Sequence, residues 1–388
     1  MRDEISRETA ASLLAYFSER EDELLAFIRE LVETESPSGD VAGSRAVVGL
    51  LMAAAATIGC ASSIERIESP EYGEHLRVSF FAERQTEQSA ILLVGHTDTV
   101  HARGSLRERP WRVEGKRIYA PGIFDMKANC ALALEVLRAC SVLKLRPRNE
   151  VVLLLTCDEE TGSATGRELV EAEARRAACA LVLEPPASGG RVKTGRKGTG
   201  IFTMEVTGRA AHAGLEPEKG ASAILELARQ IERLHALNNP QSGVNVNVGV
   251  IAGGTRSNVV AAEARAEIDM RFSTMDEGQR VENEILQSQP YDERVRIHVS
   301  GGINRPPLER NEKTLALYEQ ARHVARALDY ELQETQVGGA SDGNFIAALG
   351  VPVLDGLGID GDGAHAAHEH IIVDDISRRG AMLAGLII

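Results

Sequence analysis

Three short stretches set most of what this chain can become. Residues 91–94, 151–155 and 180–183 are unbroken apolar runs of four or five residues. Runs so short, without polar alternation, read as strands buried on both faces, the mark of a parallel sheet covered by helices. Helical patterns separate them. Leu132, Val136 and Leu137 share the inner face of a helix expected over 127–143, and a charged helix is expected over 168–178. Upstream, the spacing from Leu13 to Leu31 and the apolar stretch 47–61 predict helix, turn, helix, with Ser36-Pro37-Ser38-Gly39-Asp40 as the turn and Gly59 marking the last helix end. A strand is expected at 78–81. The fold class is therefore α/β, a mostly parallel sheet flanked by helices.

The rhythm changes in the middle of the chain. Residues 200–207, 244–251 and 263–272 alternate like half-exposed strands, 221–237 and 276–289 read as helices, and 294–300 as a last strand. That is β-α-β-β-α-β, a small ferredoxin-like α+β sheet. An inserted domain is placed at 194–305. The main domain would be 1–193 plus 306–388, where a helix (313–328) and a strand (351–354) resume the first pattern.

Each of the three buried runs leads directly into acidic or imidazole side chains. The first enters Gly95-His96-Thr97-Asp98, the second Thr156-Cys157-Asp158-Glu159-Glu160, and the third Glu184-Pro185-Pro186. Ligands of open α/β sheets bind beyond the carboxyl ends of the strands, so His96, Asp98, Glu159, Glu160 and Glu184 should meet at one sheet edge. Asp125, in Gly122-Ile-Phe-Asp-Met-Lys127, and His365, closing the Gly-rich stretch from Gly356, are expected to join them. So many carboxylates stay ionised together only around a cation. The N/O donor set suits zinc, or manganese or cobalt. Two ions bridged by one carboxylate fit better than one tetrahedral site, with Asp125 as the bridge. The blander alternatives are a solvated helix start for Asp158–Glu160 and a plain turn at Glu184.

Taken together, His-x-Asp, Gly-x-x-Asp-Met-Lys, Asp-Glu-Glu-x-Gly-Ser, Leu-Glu-Pro and a late Gly-Ala-His resemble the M20 metallopeptidase family, and within it the glutamate carboxypeptidase (carboxypeptidase G2-like) branch. The resemblance implies two Zn2+ per subunit, or Co2+ or Mn2+. His96 and Glu184 would hold one ion, Glu160 and His365 the other, with Asp125 between. His368 and His370 are alternatives to His365. Glu159 would be the general base and Asp98 the residue orienting His96. The insert would be a lid and dimerisation domain. In it His212 would stabilise the oxyanion in the partner subunit's site, and Asn258, Arg271 and Arg305 would bind substrate. Asp342, in Gly-Gly-x-x-Asp, would lie beside the substrate.

The implied reaction is hydrolysis of an amide bond to a C-terminal, acidic amino acid with a free carboxylate. The substrate would be a small peptide or N-acyl amino acid, and the enzyme a homodimer. Alternatives are an N-acyl amino acid deacylase of the acetylornithine or succinyl-diaminopimelate type, and a catalytically silent metal- or peptide-binding relative. An intact Glu159 argues against the latter.

Composition removes other classes. A net charge of −14 disfavours nucleic acid and anionic membranes as partners. The first residues lack the apolar core of a signal peptide, and 47–61 is too short for a membrane span. Five cysteines without a Cys-x-x-Cys pair point to reduced, inert core thiols and a cytoplasmic location. His75, His101, His235, His298 and His323 are read as structural.

Overall fold

A computed structural model describes residues 5–84 and 90–388. The first four residues, on which the signal-peptide reading partly rests, lie outside the described residues. The chain divides into two compact units. The first comprises the chain up to Gly195 with Arg310–Val337 and Ser341–Ile388; the second comprises Arg196–Glu309 with Gly338–Ala340.

The first unit is built on a six-stranded sheet in the order Ala61–Ser69, Gly73–Phe80, Val151–Thr156, Ala90–His96, Ala177–Val182, Val353–Leu354. The last four strands run parallel, and Gly73–Phe80 alone runs against its neighbours on both sides. The unbroken apolar runs form the central strands because both their faces are covered. Side chains of a strand alternate between faces. Leu93, Leu153 and Leu181 join the main apolar cluster with helices Arg7–Glu19, Glu21–Glu33, Ala128–Val142 and Ile376–Ile387. Leu92, Val152 and Ala180, equally buried, point to the other face, where Gly166–Ala174 and Gly343–Ala348 pack. This is the mixed, mainly parallel α/β architecture expected from the apolar runs.

Several features are absent from the sequence reading, among them the strands Val192–Arg196 and Glu334–Val337 and the helix Gly343–Ala348. Ala61–Ser69 is an edge strand whose polar residues (Ala-Ser-Ser-Ile-Glu-Arg-Ile-Glu-Ser) hide its role. A second small sheet joins Gly361–Asp362, His370–Ile372, Arg117–Tyr119 and Arg112–Glu114. Strands of two or three residues are too short to show a period. The opening segment also holds three helices, since Arg20 interrupts the first pattern between Glu19 and Glu21.

The second unit is a four-stranded antiparallel sheet in the order Asn245–Gly253, Glu263–Phe272, Gly198–Thr207, Arg296–Arg305. With helices Ala223–His235 and Met275–Leu286 the chain order is strand, helix, strand, strand, helix, strand. Phe202, Met204, Ile268 and Met270 form its core with Leu227, Val281 and Ile285.

Leu153 sits fully buried in a central strand. Leu153→Ala is expected to cost about 2–5 kcal/mol in a denaturant titration, against less than about 0.5 kcal/mol for exposed Val113→Ala.

Candidate metal centre

The carboxyl ends of three parallel strands deliver the first group. His96 ends Ala90–His96, Glu159 and Glu160 follow Val151–Thr156 in a single 3-10 turn, and Glu184 follows Ala177–Val182. The tight turn lets both neighbouring glutamates face the cluster, which an extended chain would forbid. Ligand atoms of His96, Glu159 and Glu184 lie within 4.8 Å of one another, as do those of His96, Asp125 and Glu160.

Asp125 sits between two imidazoles. His96 Nε2 is 3.2 Å from Oδ1 and His365 Nε2 is 3.3 Å from Oδ2. His96 Nε2 is also 3.5 Å from Glu184, and His365 Nε2 is 3.1 Å from Glu160. His96 Nδ1 faces only acceptors, the Asp98 carbonyl at 3.0 Å and its carboxylate at 3.4 Å. Nδ1 therefore carries the proton in the neutral ring, and the Nε2 lone pair points at two carboxylates. Such an arrangement calls for a cation.

The titration behaviour says the same. Burial works against protonating His96, yet Asp125, Asp98 and Glu184 outweigh it and hold its pKa well above the ordinary imidazole value. Hydrogen bonding to Asp125 and then Glu160 raises that of His365 to about 10. Burial would raise Asp125, but His365 and His96 hold it below the carboxylate range. Burial dominates at Glu160 and pushes it up.

The residues fit a divalent metal pair. Glu160 Oε1 is buried without a hydrogen-bond partner among the described residues, and the donors are nitrogen and oxygen, as zinc, manganese and cobalt accept. Among the described residues no sulfur joins these groups. None of the five cysteines forms a disulfide, and burial raises the Cys130, Cys140 and Cys157 thiols to about 12.

Asp98 binds the halves of the cluster together. Its carboxylate accepts from the backbone N–H groups of Glu159 and Glu160 (both 3.2 Å) and from the Ser38 hydroxyl (2.7 Å). Asp342, expected beside the substrate, lies in the loop before Gly343–Ala348. It is 2% exposed, and Thr156 Oγ1 (3.0 Å) and the Ser163 hydroxyl donate to its two oxygens, so it braces the segment that carries Glu159 and Glu160.

His365 occupies the tip of the hairpin between Gly361–Asp362 and His370–Ile372, at φ +64°. The left-handed region costs a non-glycine residue roughly 1–3 kcal/mol, so the surrounding structure must hold it there. His368 is exposed, and His370 is turned onto the Tyr119 ring, 4.9 Å away. Neither belongs to the groups that converge. His101, read as structural, bonds Glu369 beneath the Asp125 loop. No local pattern around His101 or Ser38 signals these contacts, which span 268 and 60 residues.

The remaining expected residues lie in the second unit. His212 is exposed, and its Nδ1 accepts from the Gly214 and Leu215 N–H groups (3.1 and 3.2 Å), which leaves the proton on Nε2. The Asn258 carbonyl accepts from Ala213 N–H at 3.0 Å, so the two loops run side by side. Arg271 already grips Asp269 with Nε and Nη2, both at 2.8 Å. Arg305 is buried at the end of its strand, opposite Thr199.

The sequence profile described as peptidase family M20/M25/M40 matches residues 92–388, and the chain belongs to that family. It is 29% identical to carboxypeptidase G2 of Pseudomonas sp. strain RS-16, over 93% of this chain and 87% of the relative. The chain is a hydrolase acting on peptide or amide bonds, as its family and relatives show. It is 30% identical to acetylornithine deacetylase of Myxococcus xanthus, over 76% and 79% of the two chains. The solved structure of a tripeptidase from Staphylococcus aureus superposes with a TM-score of 0.76 at 22% identity, covering 95% of this chain and 97% of that one.

If His365 is a metal ligand, an ion binding there has to displace the proton that its neighbours hold up to a pH of about 10. Zn2+ affinity, measured by chelator competition between pH 6.5 and 8.5, should therefore tighten about tenfold or more per pH unit. A flat profile would show that His365 takes no part in binding. In the metal-free protein the sign is opposite: the raised His365 value adds stability at acid and neutral pH that disappears as pH climbs through about 10.

Proposed function

We propose that the protein is a two-metal exopeptidase or amidohydrolase that releases a C-terminal amino acid bearing a free carboxylate. The observation that carries this reading is the position of Asp125, one oxygen toward His96 and the other toward His365. His96 and Glu184 would hold one ion and Glu160 and His365 the other, with Asp125 shared. Zinc is the favoured metal, with cobalt and manganese as substitutes. When bound, the ions would polarise the scissile carbonyl and acidify water at neutral pH. Glu159 would take the proton from the attacking water and hand it to the leaving nitrogen. Asp98 would keep the His96 ring in its Nδ1–H form.

His212 would donate from Nε2 to the developing oxyanion in the partner subunit's site. Asn258, Arg305 and Arg271 would bind substrate, the Arg271 guanidinium exchanging part of its hold on Asp269 for the substrate carboxylate. The motifs' resemblance to the glutamate carboxypeptidase branch favours an acidic released residue. Similarity to acetylornithine deacetylase supports a second reading, a deacylase with the same centre and a different acyl pocket. A panel of N-acyl amino acids, scored separately for acyl and amino-acid sides, decides between them. Activity that a chelator leaves untouched would defeat both.

A homodimer formed through the second unit, acting as lid and dimerisation domain, belongs to the same proposal. Asn245–Gly253 is an edge strand with Val250 and Ile251 exposed, and Ile224 and Leu225 lie exposed on the helix of the same unit. A bare apolar edge of this length invites pairing. A cytoplasmic setting belongs to the same proposal and rests on five cysteines with no disulfide among them.

Glu159→Gln should keep near-normal metal content and lose activity by about 10²–10⁴-fold. Lost metal instead would exchange the roles of Glu159 and Glu160. Light scattering should find a dimer for the wild type and a monomer for Ile251→Lys; a monomeric wild type would sink the dimer.

A further inference from the structure

His96 and Glu184 follow directly on central strands, but Asp125 and His365 both come from loops. One buried side chain ties these loops together. Glu369, 2% exposed, lies four residues after His365 and just before the strand His370–Ile372. Its Oε2 accepts from Gly122 N–H at 2.8 Å, and its Oε1 from Phe124 N–H at 2.9 Å and Asp125 N–H at 3.0 Å. The fourth partner is His101 Nε2, 2.5 Å from Oε2. Arg109 Nη2 is 3.3 Å from His101 Nδ1. Since arginine only donates and a carboxylate only accepts, the His101 proton sits on Nε2 and points at Glu369. Arg109 Nη1 also donates to the carbonyl of Ala366, the residue after His365, at 3.4 Å.

We infer that Glu369 is a positioning residue: by gripping the Gly122–Asp125 backbone it sets the Asp125 carboxylate between the two imidazoles and thereby creates the ion site at the His365–Glu160 end. It does not touch the reacting atoms. This rests on the two-metal reading above and adds an asymmetry to it. The His96–Glu184 end is anchored by strands and by Asp98, so it survives without Glu369. The His365–Glu160 end depends on two loops that Glu369 holds in register. Buried backbone donors left without an acceptor would reorganise the loop, and ligand geometry tolerates only about half an ångström of drift.

The test is the zinc stoichiometry of purified full-length protein, stripped and reloaded, by mass spectrometry of the metal and by titration against a chromophoric chelator. Wild type should hold two ions. Glu369→Gln, folded by near-UV circular dichroism, should keep one tight ion and bind the second about 10–100-fold more weakly. Two ions of unchanged affinity in that variant, or equal weakening of both, would overturn the inference. Fewer than two ions in the wild type would instead overturn the two-metal reading. Should Glu369→Gln fail to fold, His101→Phe, which removes one donor and leaves the three backbone bonds, must weaken the second ion selectively; no change there overturns the inference.

Discussion

Like-charged carboxylates crowded around two imidazoles are the constraint on which the first unit depends. Asp125, Glu159, Glu160 and Glu184 gather at one edge of a buried sheet, and water is largely excluded there. Burial alone would drive protons onto these groups. Asp125 instead stays ionised because His96 and His365 face its two oxygens. Four carboxylates against two imidazoles leave the cluster short of positive charge, and Glu160 Oε1, buried without a hydrogen-bond partner among the described residues, lies where it is lacking.

Around that cluster stands a layer of acids whose work is geometric. Asp98 accepts from the backbone of both adjacent glutamates. Asp342 braces the same segment from below through Thr156 and Ser163. Glu369 does for the Asp125 loop what Asp98 does for the glutamate turn. A buried carboxylate suits this role because one side chain can satisfy several otherwise orphaned N–H groups, and charge-assisted bonds are the stronger kind. The acids thus divide between those whose oxygens converge with His96 and those that hold the first group still.

The second unit follows simpler physics. Its central strands alternate, Glu263–Phe272 most clearly, because one face packs into the apolar core with the helices and the other is more exposed. Its edge strand exposes Val250 and Ile251, an unusual choice for a surface without a partner.

The linear order of residues determined the sheet type, the split β-α-β-β-α-β order of the second unit, and the placement of His96, Glu159, Glu160 and Glu184. Each of these is local: an apolar run fixes a buried strand, and the next residues emerge at its end. His365 was legible from its Gly-rich setting, but not the hairpin between two-residue and three-residue strands that presents it. Tertiary structure alone decided that Glu369 and His101 meet under the Asp125 loop, that Ser38 reaches Asp98, and that Asp342 faces inward. Hydrogen bonds between residues 60 to 268 positions apart leave no period or spacing in the chain; they exist only once the sheet and its loops have been brought together.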